Sequence, residues 1–299
     1  MTDQAQKKIL LAVDGSDNAL ETVRYVSKIS RFHKMEAVLF SVFSKVPDCY
    51  WDLENQPLFS KKIAGVKAWE LQNEKKIKEY MEKAKQILLD AGFNKEDVIV
   101  KIHEREKGIA RDIIKEAKKG YDAVVAGREG MSKLKDIIIG SVASKLLEKC
   151  DFIPLFVVGK TQRQGKVLMG YDGSDGALKA VDYVCSTLGG ADFEVGLINV
   201  IRGEERGFLE EAELASKDLF NRAKSRLLTA GFKSDRISAK IITGASSRAG
   251  AMIQEAQEGS YGTIVVGRRG LSKVREFFMG RVSNKVVQMA KEQAVCVVS

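Results

Sequence analysis

The chain has 299 residues, 44% of them hydrophobic and 30% charged, with a formal net charge of +9 at pH 7. This composition is typical of a globular protein long enough for two domains, and it excludes a disordered chain. The apolar runs are all shorter than the ~20 residues that cross a bilayer, so we expect no transmembrane helix.

The first predicted strand is the apolar run ILLAV at residues 9–13. It is too short for the core of a signal peptide, and the polar triplet Asp14-Gly15-Ser16 follows at once. We therefore expect a strand that ends at Asp14, and a protein that is cytoplasmic.

From this strand onward, each predicted element of the first half has a counterpart in the second. The matched pairs, in chain order, are residues 7–26 with 165–184, 37–46 with 193–202, 88–93 with 227–232, 97–117 with 236–256, and 152–159 with 294–299. The sequence therefore predicts two tandem domains, residues 1–160 and 161–299.

Within each half, short β-branched runs alternate with amphipathic helical patterns. Runs without polar alternation are typical of parallel strands that are buried on both faces. Two of the helical patterns end in Ala-Gly, at Gly92 and Gly231, as a left-handed C-terminal residue requires. We expect an α/β fold in which each half has a five-stranded parallel sheet with helices on both faces.

The halves differ most at residues 44–70, between the second strand and the second helix of the first half. This segment is longer than its counterpart and holds Trp51, Trp69 and two of the three prolines. A loop of this length is uncommon without a function. It is expected either to pack as an ordered segment or to form a lid over a ligand.

A glycine pattern follows the fourth predicted strand of each half. GREGMSKLKDIIIGS occupies residues 127–141, and GRRGLSKVREFFMGR occupies residues 267–281. Glycine allows a ligand to approach the main chain closely, and the last glycine precedes a helix whose free N–H groups attract anions. If strands one and four are neighbours, Asp14 lies across one crevice from this loop. The pattern favours an anion or nucleotide site, and the alternative is that the glycines only form tight turns.

The sequence has few of the residues needed for disulfide bonds, zinc binding or histidine-dependent catalysis. The cysteines are far apart with no C-x-x-C pair, so buried free thiols are expected: Cys49, Cys150, Cys185 and Cys296. With two histidines and no cysteine pair, a structural zinc site is not expected. Neither His33 nor His103 lies near the glycine patterns in the sequence, so a catalytic triad is not expected either. The lysines alternate with glutamates along helices, which indicates solvated helix faces and not a nucleic-acid surface.

With DGS after the first strand and G-x2-G-x9-G-S before the fourth helix, the chain resembles the universal stress protein family over nearly its whole length. The resemblance implies tandem Rossmann-like domains (adenine nucleotide alpha hydrolase-like) and bound ATP, with ADP or AMP as alternatives. It implies Asp14 beside the adenosine or holding nucleotide-bound Mg²⁺, and Val42 against the adenine. The remaining implied contacts, to ribose and phosphates, are Gly127, Gly130, Gly140, Ser141 and the backbone of Val142.

The second half keeps most of the corresponding positions but departs from the family pattern at one of them. The positions that are kept are Asp172, Val200, Gly267, Gly270 and Gly280. Arg281 stands where the pattern has Ser or Thr. This arginine either fills the phosphate pocket, which would weaken or alter the second site, or binds a phosphate through its planar fork. We favour the weakened or altered site.

An enzyme of this fold would need further motifs. Neither the SGG-x-DS loop nor H-x-G-H with K-M-S-K-S is present, and the Walker pattern is absent. We therefore expect a nucleotide-dependent stress sensor or regulator that acts through conformation or an unknown protein partner. The alternatives are a slow ATPase or phosphotransferase, and a nucleotide-independent interaction module. The resemblance also implies pairing through the fifth strands, here inside one chain, with a homodimer through other faces left open.

Overall fold

The structure is a computed structural model, and it describes residues 6–46, 60–130, 139–160, 165–190, 192–202, 206–271 and 278–299. The first half contains β1 (Lys8–Ala12), α1 (Asp17–Ser27), β2 (Glu36–Phe43), α2 (Ser60–Asp90), β3 (Val98–Glu104), α3 (Ile109–Ala117), β4 (Ala123–Gly127), α4 (Ser141–Lys149) and β5 (Leu155–Val158). The second half contains β6 (Lys166–Gly170), α5 (Asp175–Leu188), β7 (Glu194–Val200), α6 (Arg206–Thr229), β8 (Ile237–Ile242), α7 (Arg248–Glu258), β9 (Thr263–Gly267), α8 (Arg281–Met289) and β10 (Ala294–Val298). The predicted alternation of strands and helices is confirmed in both halves.

The helix ends follow from particular residues. Ser16 and Ser174 cap α1 and α5 by accepting hydrogen bonds from the Ala19 and Ala177 amides. After α2 and α6, Gly92 and Gly231 take positive φ angles of 102° and 92°, as was predicted from the Ala-Gly endings.

The strand order is β3-β2-β1-β4-β5-β10-β9-β6-β7-β8 in one ten-stranded sheet. Within each half all strand pairs are parallel. The chain order reverses between β1 and β4, and again between β6 and β9, so the predicted neighbourhood of strands one and four is confirmed. Each reversal is a point where ligands of open α/β sheets bind.

The two halves join through their fifth strands. β5 and β10 pair antiparallel, with Cys296 opposite Phe156. The expected internal pair of repeats is therefore present. Because the halves run in opposite directions, the carboxyl ends of their strands lie at opposite edges of the common sheet.

Both faces of the sheet are covered by helices. Along β1, Ile9 and Leu11 pack in one core cluster with residues of α1 and α2, whereas Leu10 and Ala12 pack in another with residues of α3 and α4. The second half repeats this division, with α5 and α6 on the first face and α7 and α8 on the second.

The expectation of a loop over residues 44–70 is wrong for its last part. Helix α2 begins at Ser60, so residues 60–70 form its first turns, and Val46 N donates to Glu70 Oε1 at 3.1 Å. Trp69 is 55% exposed. Residues 47–59, which include Cys49 and Trp51, lie outside the described part of the chain.

The expected free thiols are confirmed for the cysteines that the structure describes. Cys150 and Cys296 are buried, and Cys185 is partly buried. Burial raises the pKa of Cys150 to about 11, which keeps its thiol protonated. Among the described residues, none of the helices has the length and apolar character needed to span a membrane.

Candidate functional site

Asp14 and the first glycine loop meet where the chain order reverses. Ala12 of β1 lies opposite Ala126 of β4, and both strands end within two residues of that pair. Gly130 lies directly against the carboxylate, because a Cβ atom at this position would stand 2.5 Å from Asp14 Oδ2. Glycine is therefore required here for close contact and not for an unusual φ angle.

The carboxylate of Asp14 is oriented by the turn that follows it. Its Oδ1 accepts hydrogen bonds from the Ser16 amide at 3.0 Å and from Ser16 Oγ at 2.6 Å. The Tyr80 hydroxyl of α2 donates to the Ser16 carbonyl at 3.1 Å. Burial, together with the nearby carboxylates of Asp14 and Asp17, raises the pKa of Tyr80, so it remains a donor at neutral pH. These contacts leave Oδ2 turned toward the glycine loop.

The N-terminus of α4 lies at the same edge of the sheet. The Gly140 amide donates to the Arg128 carbonyl at 2.8 Å, which ties the end of the glycine pattern to its beginning. Gly140 is the N-cap residue and, as a glycine, offers no side chain to cap the helix. The first amides of α4 therefore point out of the helix end, which is a suitable environment for an anion. Ser141 is exposed beside them, and Val142 packs against the core cluster of this face.

Val42 extends the site along the sheet. It lies near the end of β2, opposite His103 of β3. Its partly buried side chain packs against the same core cluster as Val142, so both lie on the face that carries α3 and α4. Asp14, Val42, Gly127, Gly130, Gly140, Ser141 and Val142 are thus brought to one edge of the first half.

The corresponding residues of the second half form a similar arrangement. Asp172 Oδ1 accepts from the Ser174 amide at 3.0 Å, and a Cβ atom on Gly270 would stand 2.8 Å from Asp172 Oδ2. Gly280 is the N-cap of α8, and Arg281 is an exposed residue in its first turn. The structure thus gathers the second set at the opposite edge: Asp172, Val200, Gly267, Gly270, Gly280 and Arg281.

Two substitutions change the packing beside the second set of residues. Where the first half has Asn18, the second has Gly176, and the Arg269 carbonyl packs against it so closely that no side chain would fit. Leu219 takes the place of Tyr80, and its methyl groups lie 2.7–2.8 Å from the position of a Cβ atom on Gly173.

Two buried arginines were missed by the sequence analysis. Arg128 and Arg268 occupy the second position of the two glycine loops and are 3% and 5% exposed. Arg128 donates to the carbonyls of Val287 and Ala290 at 2.7 and 2.6 Å, across the junction between the halves. The available signal was the recurrence of one residue type at the same place in both loops.

Burial lowers the pKa of both arginines. The pKa of Arg128 falls to about 10, and nearby Glu129 partly opposes the effect. Burial also lowers the pKa of Arg268, and the nearby carboxylate of Asp151 partly opposes this effect. Both side chains remain charged at neutral pH, and helix C-terminal carbonyls are suitable acceptors for that charge.

A separate group of possible metal ligands lies on β3, on α3 and in the loop between them. Ligand atoms of His103, Glu106 and Asp112 lie within 4.8 Å of one another. Asp112, however, accepts from the amides of residues 106–108, and Glu106 accepts from Lys115 Nζ at 2.8 Å. These hydrogen bonds account for the cluster as a loop anchor.

The sequence matches the universal stress protein family over residues 6–159 and again over residues 165–298. Universal stress protein MJ0577 of Methanocaldococcus jannaschii is 30% identical over 164 residues, which cover 51% of this chain and 94% of that protein. Universal stress protein MJ0531 of the same organism is 29% identical over 161 residues, which cover 53% and 85%.

A solved structure matches the tandem arrangement as a whole. The crystal structure of a universal stress protein from Archaeoglobus fulgidus DSM 4304 covers 99% of this chain and is itself covered over 99%, with a TM-score of 0.68 and 20% identity. At this level of identity the likeness concerns the fold, and it extends over both halves.

Proposed function

The chain belongs to the universal stress protein family, and from this premise we propose that its first half binds an adenine nucleotide, namely ATP or, as alternatives, ADP or AMP. The observation that carries the proposal is the approach of Asp14 to Gly130 beside the N-terminus of α4, whose N-cap residue is the glycine Gly140. A carboxylate suits ribose hydroxyls or nucleotide-bound Mg²⁺, whereas helix amides suit phosphates. The two groups lie at one sheet edge, as a nucleotide requires.

Each residue of this edge has an assigned role in the proposed complex. Asp14 binds the ribose or holds Mg²⁺ on the phosphates, and Val42 provides an apolar surface for the adenine. Gly127, Gly130 and Gly140 allow the nucleotide to approach the main chain. The Ser141 hydroxyl and the amide of Val142 bind phosphate oxygens.

We assign a weakened or altered site to the second half. The tighter packing around Gly176 and the replacement of Tyr80 by Leu219 support this assignment, as does Arg281 in place of the serine. A single nucleotide per chain is the expected stoichiometry. The domain boundary at residues 160–161 is likewise a proposal.

The protein acts as a nucleotide-dependent sensor or regulator in this account. Occupancy of the first half shifts the population of one arrangement of the chain, which a partner protein then recognises. Hydrolysis is not required for such a role.

Calorimetric titration with ATP and MgCl₂ tests the proposal. The wild-type protein is expected to bind, and Gly140→Ala is expected to weaken binding, because the added Cβ would stand 3.2 Å from the Arg128 carbonyl. Ser141→Ala removes a phosphate donor and is expected to weaken binding as well. Unchanged affinity in both variants would remove the proposed site.

The same preparations distinguish a slow ATPase. Phosphate release that is abolished in Asp14→Ala, in a variant that still melts cooperatively, would identify a hydrolase. ATP binding without such turnover supports the sensor.

A further inference from the structure

Arg268 belongs to the second glycine loop, yet its guanidinium group binds a helix of the first half. Nη1 donates to the Leu147 carbonyl at 2.7 Å, and Nη2 donates to the Cys150 carbonyl at 2.6 Å. These carbonyls are at the C-terminus of α4, where they lack amide partners within the helix. The positive charge also lies at the negative end of the helix dipole.

The end of β10 holds this arginine in place. The Arg268 amide donates to the Val298 carbonyl at 2.6 Å, and Nε donates to Ser299 Oγ at 2.9 Å. The side chain is therefore fixed to the end of β10 before it reaches α4.

Helix α4 connects this contact to the candidate nucleotide site. It spans Ser141–Lys149, a length of about 13 Å at the usual rise per residue. Its C-terminus is bound by Arg268, and its N-terminus carries Ser141 and the amides assigned to phosphate. A short helix moves as a unit, so the position of one end determines where the amides of the other end point.

We propose that Arg268 is a positioning residue for the nucleotide site of the first half. The proposal rests on the nucleotide binding proposed above, and it adds that the second half supplies a residue on which this binding depends. Arg268 does not touch the nucleotide in this account. It acts through the orientation of α4.

The reverse contact makes the arrangement reciprocal. Arg128 of the first loop binds the equivalent carbonyls of α8, those of Val287 and Ala290, and the N-terminus of α8 carries Arg281. Each glycine loop thus holds the helix that forms part of the opposite site. The second half therefore has a use for its glycine loop even though its own site is altered, because Arg268 of this loop binds helix α4 of the first half.

The test compares ATP affinity in two variants of neighbouring residues in the full-length protein. Arg268→Met removes the donors but keeps much of the side-chain volume, whereas Arg269→Met changes an adjacent, exposed arginine of the same loop. We expect Arg268→Met to weaken ATP binding about tenfold or more. This is the size of effect seen at metal sites when a residue that orients a binding group, without touching the bound metal, is removed. Arg269→Met is expected to stay within about twofold of wild type.

A purely structural role would give a different result. If Arg268 only stabilises the junction, the melting temperature of Arg268→Met falls while its affinity, measured well below that temperature, equals that of wild type. That outcome overturns the inference but not the proposed function. A wild-type protein that binds no adenine nucleotide overturns both.

Arg268→Lys serves where Arg268→Met does not fold. Lysine keeps the cation but cannot reach both carbonyls with the geometry of the guanidinium fork. An ATP affinity of Arg268→Lys below that of wild type supports the inference, and an affinity equal to wild type contradicts it.

Discussion

Gly130 lies so close to Asp14 that a Cβ atom on the glycine would stand 2.5 Å from Oδ2 of the carboxylate. The equivalent pair of the second half, Gly270 and Asp172, has almost the same geometry, at 2.8 Å. The two halves therefore provide a matched pair of substitutions, of which only one falls in the proposed nucleotide site.

Gly130→Ala is expected to weaken ATP binding about tenfold or more, because the added methyl group displaces the carboxylate of Asp14. A tenfold loss of affinity corresponds to ~1.4 kcal/mol of binding free energy. Gly270→Ala introduces the same strain into the second half and is expected to leave ATP affinity within about twofold of wild type. Both are measured by calorimetric titration. Equal losses in the two variants would show that the effect is one of general stability.

The exchange of Ser141 and Arg281 tests the difference between the halves. Ser141→Arg is expected to reduce ATP binding, since it places the arginine of the second half at the N-terminus of α4. Arg281→Ser alone is expected not to create a second site, because Leu219 and the Gly176 contact also differ from the first half. The measured quantity is the number of nucleotides bound per chain, and two per chain in Arg281→Ser would contradict this account.

Tyr25 and Thr263 join the two halves by a buried hydrogen bond. The distance between Tyr25 Oη and Thr263 Oγ1 is 2.8 Å, and both side chains are almost completely buried. Tyr25→Phe is expected to reduce the free energy of unfolding by about 1–3 kcal/mol, because the threonine hydroxyl is left without this partner. Urea denaturation measures the loss. The double variant with Thr263→Val is expected to recover part of it, and a double variant that loses the sum of both single losses would contradict a direct interaction.

Because of Glu116 in α3, the free energy of unfolding is expected to depend on pH in the acid range. Burial would raise its pKa, but hydrogen bonds from Lys119, Lys101 and Tyr121 outweigh burial and hold the pKa at about 2. A carboxylate whose pKa is lower in the folded protein contributes its full stabilisation above the unfolded value of ~4.3, and this contribution is lost as the pH falls toward 2.

Glu116→Gln is therefore expected to destabilise the protein at pH 7 and pH 5 by the same amount, about 1–3 kcal/mol. The difference from wild type is expected to shrink by about 1 kcal/mol at pH 3.5. Urea denaturation at the three pH values is the measurement. Glu106→Gln, at an exposed ion pair with Lys115, is the control and is expected to have a much smaller effect. A pH-independent loss in Glu116→Gln would contradict this assignment.

The fold was largely predictable because its signals are local and occur twice. Buried β-branched runs, helix-ending glycines and the repeated DGS triplet determine the element order, and the order places Asp14 beside the Gly127–Gly130 loop. The start of α2 at Ser60 was not predictable by the same means. Its first turns combine the buried Ile63 with exposed apolar residues such as Trp69, so the apolar residues of the sequence do not mark a single helical face.

The contacts between the halves could not be predicted from the sequence either. The repeated arginine of the glycine loops was visible, but its acceptors are backbone carbonyls, which have no sequence signature. Such features follow from the antiparallel pairing of β5 and β10, which brings distant segments together.

The central claim is that one nucleotide binds per chain, and the most direct measurement is the nucleotide content of the protein itself. Freshly purified protein, before and after incubation with ATP and MgCl₂ and removal of free ligand, is denatured, and the released nucleotide is identified and quantified by chromatography. The account predicts about one adenine nucleotide per chain. Release of none under both conditions would contradict it.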